Sequence, residues 1–171
     1  VMYQIFPDRF CCSGKPKTGV PADRRMHQSW QEDPQSTPDA DGEFRCNDYF
    51  GGDLAGITEK LPALAELGVR VIYLNPIFEA HSNHRYNTAD YMRIDPLLGD
   101  EEDFITLCRR AHELDIKIIL DGVFNHTGSD SLYFNKEGRY GAGGACRDPH
   151  SPCRSWYCWK DPAANLYESW W

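Results

Sequence analysis

The chain has 171 residues, of which 41% are apolar and 26% charged, as is typical of a globular protein with one core of ordinary size. Its formal net charge of −8 excludes a general nucleic-acid binder, which needs a basic surface to displace counterions. No apolar run approaches the roughly 18 residues that a membrane span requires, so we expect no contact with a membrane.

The predicted elements alternate between strand and helix. They are, in chain order, a strand at 1–6, a loop excursion at 11–50, a helix at 58–67, a strand at 69–74, a loop at 77–99, a helix at 100–114, a strand at 117–123 and an irregular subdomain at 127–171. Strands joined by helical crossovers favour a parallel sheet. The sequence therefore predicts an α/β fold.

Both predicted helices carry signals at their ends. Pro62 falls in the first two turns of the first helix, where its missing N–H costs least, and Gly68 follows the last apolar residue. Asp100 is the predicted N-cap of the second helix, and acidic residues follow it in the first turn.

The N-terminus and the cysteines bear on the cellular compartment. Residues 1–6 lack the basic region and cleavage site of a signal peptide, and they also lack an initiator Met. We therefore expect a cytoplasmic protein whose sequence was cut from a longer one. Seven cysteines without a Cys-x-x-Cys pair predict free thiols. A disulfide among Cys146, Cys153 and Cys158 is the alternative.

The most informative segment runs from Lys117 to His126. Its apolar, β-branched start predicts a strand buried on both faces, yet the segment ends in Asp121, Asn125 and His126. Each of these polar groups needs a hydrogen-bond partner once it leaves water. Because ligands bind at the carboxyl ends of parallel strands, the segment predicts a site as well as a fold.

Seven motifs resemble those of one known family. They are YQIFPDRF at 3–10, FGGDLAGI at 50–57, YLNPIF at 73–78, SNHRYNTADY at 82–91, DGVFNH at 121–126, WY at 156–157 and YESWW at 167–171. In this order they resemble the α-amylase family (glycoside hydrolase family 13), and within it the neopullulanase, cyclomaltodextrinase and maltogenic amylase group. The ordered set covers essentially the whole chain.

The resemblance implies a fold and a reaction. Residues 1–126 would form the N-terminal part, about three β/α units, of a (β/α)8 TIM barrel, and residues 127–171 part of the inserted domain B. The reaction would be retaining hydrolysis of α-1,4 or α-1,6 glucosidic bonds in maltodextrin, cyclodextrin or pullulan. It uses two carboxyl groups about 5 Å apart. Since these acids are expected after Trp171, we expect no catalytic residue in this chain and no activity from it alone.

Three residues acquire substrate-binding roles from the resemblance. Tyr86 would stack on a glucose ring, and His126 would donate a hydrogen bond to a hydroxyl of that glucose. Asp121 would organise the site beside the nucleophile. Each residue could instead serve structure alone, as packing, as a structural histidine or as a strand-end cap.

The chemistry requires no cofactor, but the resemblance admits structural calcium. Asn125 matches a calcium ligand found between barrel and domain B in many relatives, but that site is not reliably present in the neopullulanase group, so we interpret Asn125 first as a loop anchor. Gly51 and Asp53 match part of another calcium site of that group. The loop after the first strand lacks the acidic ligands of that site and carries Lys15 and Lys17 instead, which argues against calcium there.

Two other functions stay open. One is a non-catalytic amylase-like barrel that serves binding or assembly, and the presence of Tyr86, Asp121 and His126 favours the enzyme over it. The other is a metal-dependent hydrolase that uses His84 and Asp90 with Asp121 and His126. The expected partner is an α-glucan oligosaccharide. Because the third strand has an open edge, we also expect the isolated chain to be unstable, to be a homo-oligomer or to be held by a missing partner segment.

Overall fold

A three-stranded parallel sheet lies at the centre of the computed structural model, which describes residues 1–169. The elements, in chain order, are β1 (Met2–Ile5), β2 (Arg25–Met26), β3 (Asp48–Tyr49), α1 (Leu54–Glu66), β4 (Val71–Leu74), β5 (Phe78–Ala80), β6 (Thr88–Ile94), α2 (Glu101–Glu113), β7 (Lys117–Leu120), β8 (Trp159–Asp161) and β9 (Leu166–Tyr167), with 3-10 turns at Pro7–Arg9 and Arg154–Trp156. The central sheet has the order β1-β4-β7, with α1 and α2 in the two crossovers. The predicted parallel α/β arrangement is confirmed.

The register of the sheet brings its carboxyl ends level. Ile5 pairs with Leu74, and Leu74 pairs with Leu120. Apolar side chains between the sheet and the two helices form the core: Ile5, Leu54, Ile57, Leu61, Leu64, Val69, Ile72, Leu74, Ile77, Leu98, Leu107, Ala111 and Ile116. Residues that directly follow the strands therefore lie at one edge of the sheet, above this core.

Helix α1 begins at Leu54, four residues before the predicted start at 58. The Asp53 carboxylate caps it by accepting a 2.6 Å hydrogen bond from the N–H of Gly56. This cap was not predicted, because the two glycines before Asp53 are typical of a loop. Pro62 therefore lies in the third turn and not in the first two, so this prediction was wrong. Gly68 ends the helix at φ 85°, as predicted.

Helix α2 follows the prediction closely. Asp100 accepts a 2.9 Å hydrogen bond from the N–H of Asp103, and the Asp103 side chain accepts from the Asp100 N–H in return. This reciprocal capping box satisfies two backbone donors at the helix start.

The predicted loop at 77–99 contains an antiparallel hairpin instead. Strands β5 and β6 pair with irregular register, and a polar turn at 81–87 joins them. The sequence of β6 places Asp90 and Arg93 among apolar residues and lacks the strict alternation that predicts a strand.

The third central strand is not buried on both faces as predicted. In β7 the side chains alternate between exposed and half-buried, and Ile119 remains 40% exposed. The strand has one neighbour, β4, within residues 1–169, so one side of it is uncovered there. It also ends at Leu120, three residues earlier than predicted.

The two irregular segments have little regular structure, as expected. Within the excursion at 11–50, β2 and β3 make a two-residue parallel bridge. After residue 127, β8 and β9 form a short hairpin whose rings pack on Phe134. The last two residues of the YESWW motif, Trp170 and Trp171, lie outside the described residues. The division between 1–126 and 127–171 stays a prediction.

The cysteines and helices add two findings. All seven cysteines carry free thiols. No helix within residues 1–169 is long and apolar enough to cross a membrane.

Candidate functional site

Two polar residues stand side by side where the central strands end. The N–H of Asn75 donates to the carbonyl of Ile5 at 3.0 Å, and the N–H of Asp121 donates to the carbonyl of Leu74 at 3.1 Å. These bonds extend the ladder by one residue on each side of β4. Asn75 and Asp121 are thereby fixed at the carboxyl edge of the sheet, with their side chains clear of the core.

Tyr86 connects these two strand ends. Its hydroxyl donates to Oδ2 of Asp121 at 2.8 Å and accepts from Nδ2 of Asn75 at 3.3 Å. Burial of the hydroxyl and its bond to Asp121 raise the pKa of Tyr86 to about 12. The phenol therefore stays a protonated donor at neutral pH. The side chain is still 36% exposed, so it remains accessible to a ligand.

His84 holds the turn that presents Tyr86. Its Nδ1 accepts from the Tyr86 N–H at 3.1 Å and lies 3.2 Å from the Ser82 hydroxyl. The two rings stack with centroids 6.0 Å apart. Burial, aided by the charge of Arg85, lowers the pKa of His84, and a neutral imidazole is the form that accepts at Nδ1.

Beneath the turn lies a buried ion cluster of Arg24, Arg85 and Asp95. Nη1 of Arg24 lies 2.6 Å from Oδ1 of Asp95, and Nε of Arg85 lies 3.2 Å from Oδ2. Both guanidinium groups also lie over the Tyr49 ring, at 5.2 and 5.6 Å from its centroid. Burial alone would raise the pKa of Asp95, but the two arginines hold it below its ordinary value.

The loop after β7 carries His126. Its Nδ1 lies 2.9 Å from the Asn125 amide nitrogen, which donates to it and so leaves the ring proton on Nε2. The Tyr91 hydroxyl lies within hydrogen-bond distance of the carbonyls of Val123 and His126, the latter at 2.9 Å, and this fixes the path of the loop. His126 is therefore oriented to donate from Nε2.

Tyr86 and His126 lie in the same open cleft of about 910 Å³. Further aromatic residues line it: Phe44, Tyr91, Phe124, Phe134, Trp156, Tyr157 and Tyr167. Most of them come from the segment after β7, whereas Phe44 comes from the distant excursion. A wide cleft with many rings and a few fixed hydrogen-bonding groups suits a ligand that alternates apolar faces with hydroxyl groups.

The residues around Asp53 do not fit a calcium ion. The carboxylate accepts from the N–H of Gly56 and from the hydroxyl of Ser13 at 2.8 Å, and it forms an ion pair with the Lys17 ammonium. Both of its oxygens are thus occupied by protein donors, and a cation already balances its charge. Gly51, at φ 83°, donates its N–H to Asp8. The expectation that calcium does not bind here stays a prediction.

Asn125 stays a prediction as a calcium ligand. Its amide nitrogen contacts the neighbouring imidazole, which agrees with the role of loop anchor. Across residues 1–169, no three His, Cys, Asp or Glu side chains are grouped so that they could hold a metal ion. The metal-dependent hydrolase alternative therefore lacks a ligand cluster in this part of the chain.

The structure thus brings the predicted substrate-binding residues together. Tyr86 and Asp121 are in direct contact, and His126 shares the cleft with Tyr86. Sequence reasoning did not assign a role to Asn75, although it follows a strand directly, as Asp121 does. It also missed Phe44, for which the excursion carries no local signal.

Comparisons with known proteins agree on one family. The model of the family described as "Alpha amylase, catalytic domain" matches residues 4–170. An amylopullulanase of Thermoanaerobacterium saccharolyticum is 46% identical over 189 residues, which cover 100% of this chain and 15% of that protein. A cyclomaltodextrinase of Geobacillus thermopakistaniensis is 44% identical, over 86% of this chain and 23% of that protein.

A solved structure shows the same relationship. The type III pullulan hydrolase of Thermococcus kodakarensis superposes with a TM-score of 0.72 at 33% identity, over 100% of this chain and 31% of that one. This chain therefore spans less than a third of each of these three proteins.

Proposed function

This chain belongs to the α-amylase family of glycoside hydrolases, and from that premise we propose that it forms the substrate-facing part of an enzyme that hydrolyses α-glucosidic bonds. The observation that carries the proposal is the contact between Tyr86 and Asp121 at the carboxyl edge of the sheet, with His126 in the same cleft. In barrel enzymes this edge is where catalytic sites lie. We also propose that the three central strands are part of a (β/α)8 barrel in the whole protein.

Each of the three residues has a defined task in this proposal. The Tyr86 ring packs against the apolar face of a glucose unit while its hydroxyl stays bonded to Asp121. His126 donates from Nε2 to a hydroxyl of that glucose, a direction set by the Asn125 amide on Nδ1. Asp121 supplies a fixed negative charge beside the reacting carbon. Hydrogen bonds and charges that are oriented before the reaction stabilise charge in the transition state.

The bond-breaking carboxyl groups are proposed to lie outside this chain. Retaining glycosidases use one carboxylate as nucleophile and one carboxylic acid as proton donor, about 5 Å apart. Asp121 accepts a hydrogen bond from the Tyr86 hydroxyl and also interacts with the Tyr73 side chain, which suits an organising role better than nucleophilic attack. We propose that residues 1–171 alone do not turn over substrate.

The names of the relatives support a substrate class. They refer to pullulan, amylose-type chains and cyclic maltodextrins. We therefore propose α-1,4 or α-1,6 glucosidic bonds of maltodextrin, cyclodextrin or pullulan as the targets. A cytoplasmic location is part of the proposal, and the seven free thiols support it.

Activity of the full-length protein tests the proposal. Purified protein is incubated with maltodextrin, pullulan and β-cyclodextrin, and reducing ends and product lengths are measured. We expect reducing ends from at least one substrate, and at least a tenfold lower kcat/KM for His126→Ala, in line with the loss of a transition-state hydrogen bond. Binding of maltodextrin without any cleavage would overturn the hydrolase and favour the non-catalytic barrel.

A further inference from the structure

We propose that Phe44 forms an outer sugar subsite of the cleft, at which the ring stacks on a glucose unit of a bound α-glucan some distance from the unit held by Tyr86. The proposal rests on the proposed function and deepens it, because it assigns part of the long excursion at 11–50 to substrate binding. It predicts a preference for longer chains over short ones.

The first observation is the position of Phe44. Its side chain lines the same cleft as Tyr86 and His126, although it lies 42 and 82 positions earlier in the sequence. The side chain is 50% exposed, and it makes no ring contact with another aromatic residue of the described chain. An isolated exposed ring is ordinary on a convex surface, but this one lies in a concave, ring-lined cleft.

The second observation is that the two residues after Phe44 are anchored. The next residue, Arg45, lies 3.0 Å from carboxylate oxygens of both Asp39 and Asp41, so it closes the loop on itself. The carbonyl of Cys46 accepts a 2.6 Å hydrogen bond from the N–H of Asn83. The backbone two residues after Phe44 is therefore tied to the hairpin turn that carries Tyr86.

The Asn83 side chain strengthens this tie. Its Nδ2 donates to the carbonyl and to Oδ1 of Asp48, at 3.1 and 3.0 Å. Two segments that are 35 positions apart are thus joined by three hydrogen bonds, and Asn83 is buried. The segment that carries Phe44 is thus joined to the turn that carries Tyr86, and both residues line one cleft that a single bound chain can occupy.

Charge and size point to a neutral oligosaccharide as the occupant. The Arg45 guanidinium, the cation nearest to Phe44 in sequence, is already neutralised by two carboxylates, so it does not recruit an anion. The cleft volume of about 910 Å³ is near the upper end of the roughly 300–1,000 Å³ of small-molecule sites. A single sugar would leave most of it empty, whereas an oligomer of glucose would occupy both rings.

The test compares chain lengths in the full-length protein. Phe44→Ala, Phe44→Trp and Trp30→Ala are assayed with maltotriose and maltoheptaose. Trp30 is the matched control, because it is an exposed aromatic residue of the same excursion that packs on Phe50 and does not line the cleft. Thermal melting of all variants establishes that they fold.

We expect Phe44→Ala to raise KM for maltoheptaose by about fivefold or more, as loss of a stacked ring would, with little change for maltotriose. Phe44→Trp should retain the wild-type preference, and Trp30→Ala should match the wild type on both substrates. Equal KM values for wild type and Phe44→Ala on maltoheptaose, or equal losses on both substrates, would overturn the subsite. If the wild-type protein is inactive on both substrates, the proposed function is overturned instead. Calorimetry would then measure the affinity of maltoheptaose for the wild type and for Phe44→Ala. Equal affinities of the two proteins would overturn the subsite.

Discussion

Tyr86 donates a 2.8 Å hydrogen bond to Asp121 across the carboxyl edge of the central sheet. The two residues come from different connections, one from the hairpin turn after β5 and the other from the end of β7. The bond fixes the aromatic ring relative to the carboxylate before any ligand arrives. Preorganisation of this kind is what allows a site to use binding energy on the transition state.

Substitution of Tyr86 separates the ring from the hydroxyl. Tyr86→Phe keeps the ring but removes the bond to Asp121, and we expect kcat/KM of the full-length enzyme to fall about fivefold, corresponding to about 1 kcal/mol for a half-exposed hydrogen bond. Tyr86→Ala removes both and should raise KM further. Steady-state kinetics on maltodextrin measure this. Identical parameters for Tyr86→Phe and Tyr86→Ala would show that the ring itself contributes nothing.

Sequence reasoning succeeded where one local signal dominated. The N-cap at Asp100 and the glycine at Gly68 were visible in the sequence because short-range hydrogen bonds and backbone conformation set helix ends. The start of α1 was missed because Asp53 also makes long-range contacts with Ser13 and Lys17, and its glycine neighbours resemble loop.

For the site, the sequence predicted residues but not their contacts. Tyr86, Asp121 and His126 came from motif resemblance, and nothing local predicts that the first two touch. The buried cluster of Arg24 and Asp95 was not predicted at all, since it joins positions 71 residues apart. Contacts of that range depend on the packing of the whole chain and leave no periodic pattern.

The buried ion cluster provides a test of what positions Tyr86. Arg24 and Arg85 both bind Asp95 beside Tyr49, but only Arg85 directly precedes Tyr86, at a positive φ of 61°. Arg24→Lys and Arg85→Lys keep the charge and lose the planar fork, so each should lower the free energy of unfolding by about 1–3 kcal/mol.

Kinetics distinguish a positioning role from a structural one. We expect Arg85→Lys to raise KM for maltodextrin several-fold while Arg24→Lys leaves it unchanged, because only Arg85 belongs to the turn that presents the ring. Urea denaturation and steady-state kinetics on the full-length enzyme provide the two readouts. Equal KM values for the two variants would show that the cluster stabilises the fold but does not position Tyr86.

Asp53 provides a test of calcium dependence. Because Lys17 and backbone donors already occupy its carboxylate, we expect the change in Tm between calcium and EDTA to be the same in wild type and in Asp53→Asn. The variant should have a lower Tm in both buffers, because it keeps a capping oxygen but loses the ion pair with Lys17, which should lower the free energy of unfolding by about 1 kcal/mol or more. A calcium-dependent rise in Tm that disappears in Asp53→Asn would identify Asp53 as a ligand.

The excursion should be held more tightly at acidic than at alkaline pH by His27. Its ring nitrogens lie 3.0 Å from Asp48 and 2.9 Å from Glu32, and hydrogen bonds to these carboxylates raise the pKa of His27. A raised folded-state pKa means that the stabilisation is fully present below the unfolded value of about 6.5 and is lost as pH rises through the folded value.

His27→Gln should therefore lower Tm more at pH 6 than at pH 9. Melting of both proteins across that range measures the difference. Since the ring also stacks on Phe50, with centroids 4.1 Å apart, a residual difference that does not depend on pH is expected from lost packing. A difference in Tm that stays constant or grows toward pH 9 would contradict the ion-pair contribution.

The open sheet edges predict how the 171-residue chain behaves alone. Within residues 1–169, β1 and β7 each pair only with β4, so the outer edge of each strand has no strand partner. Unpaired edges with apolar side chains template association. We expect the isolated chain to self-associate with rising concentration in sedimentation velocity, and Ile119→Lys, which places a charge on β7, to reduce that association. Ile105→Lys is the matched control, because Ile105 is an exposed isoleucine on α2 and belongs to neither edge strand. If both lysine variants reduced association equally, the change in net charge would explain the effect. A wild-type chain that is monomeric and melts cooperatively would show that the open edges do not drive association.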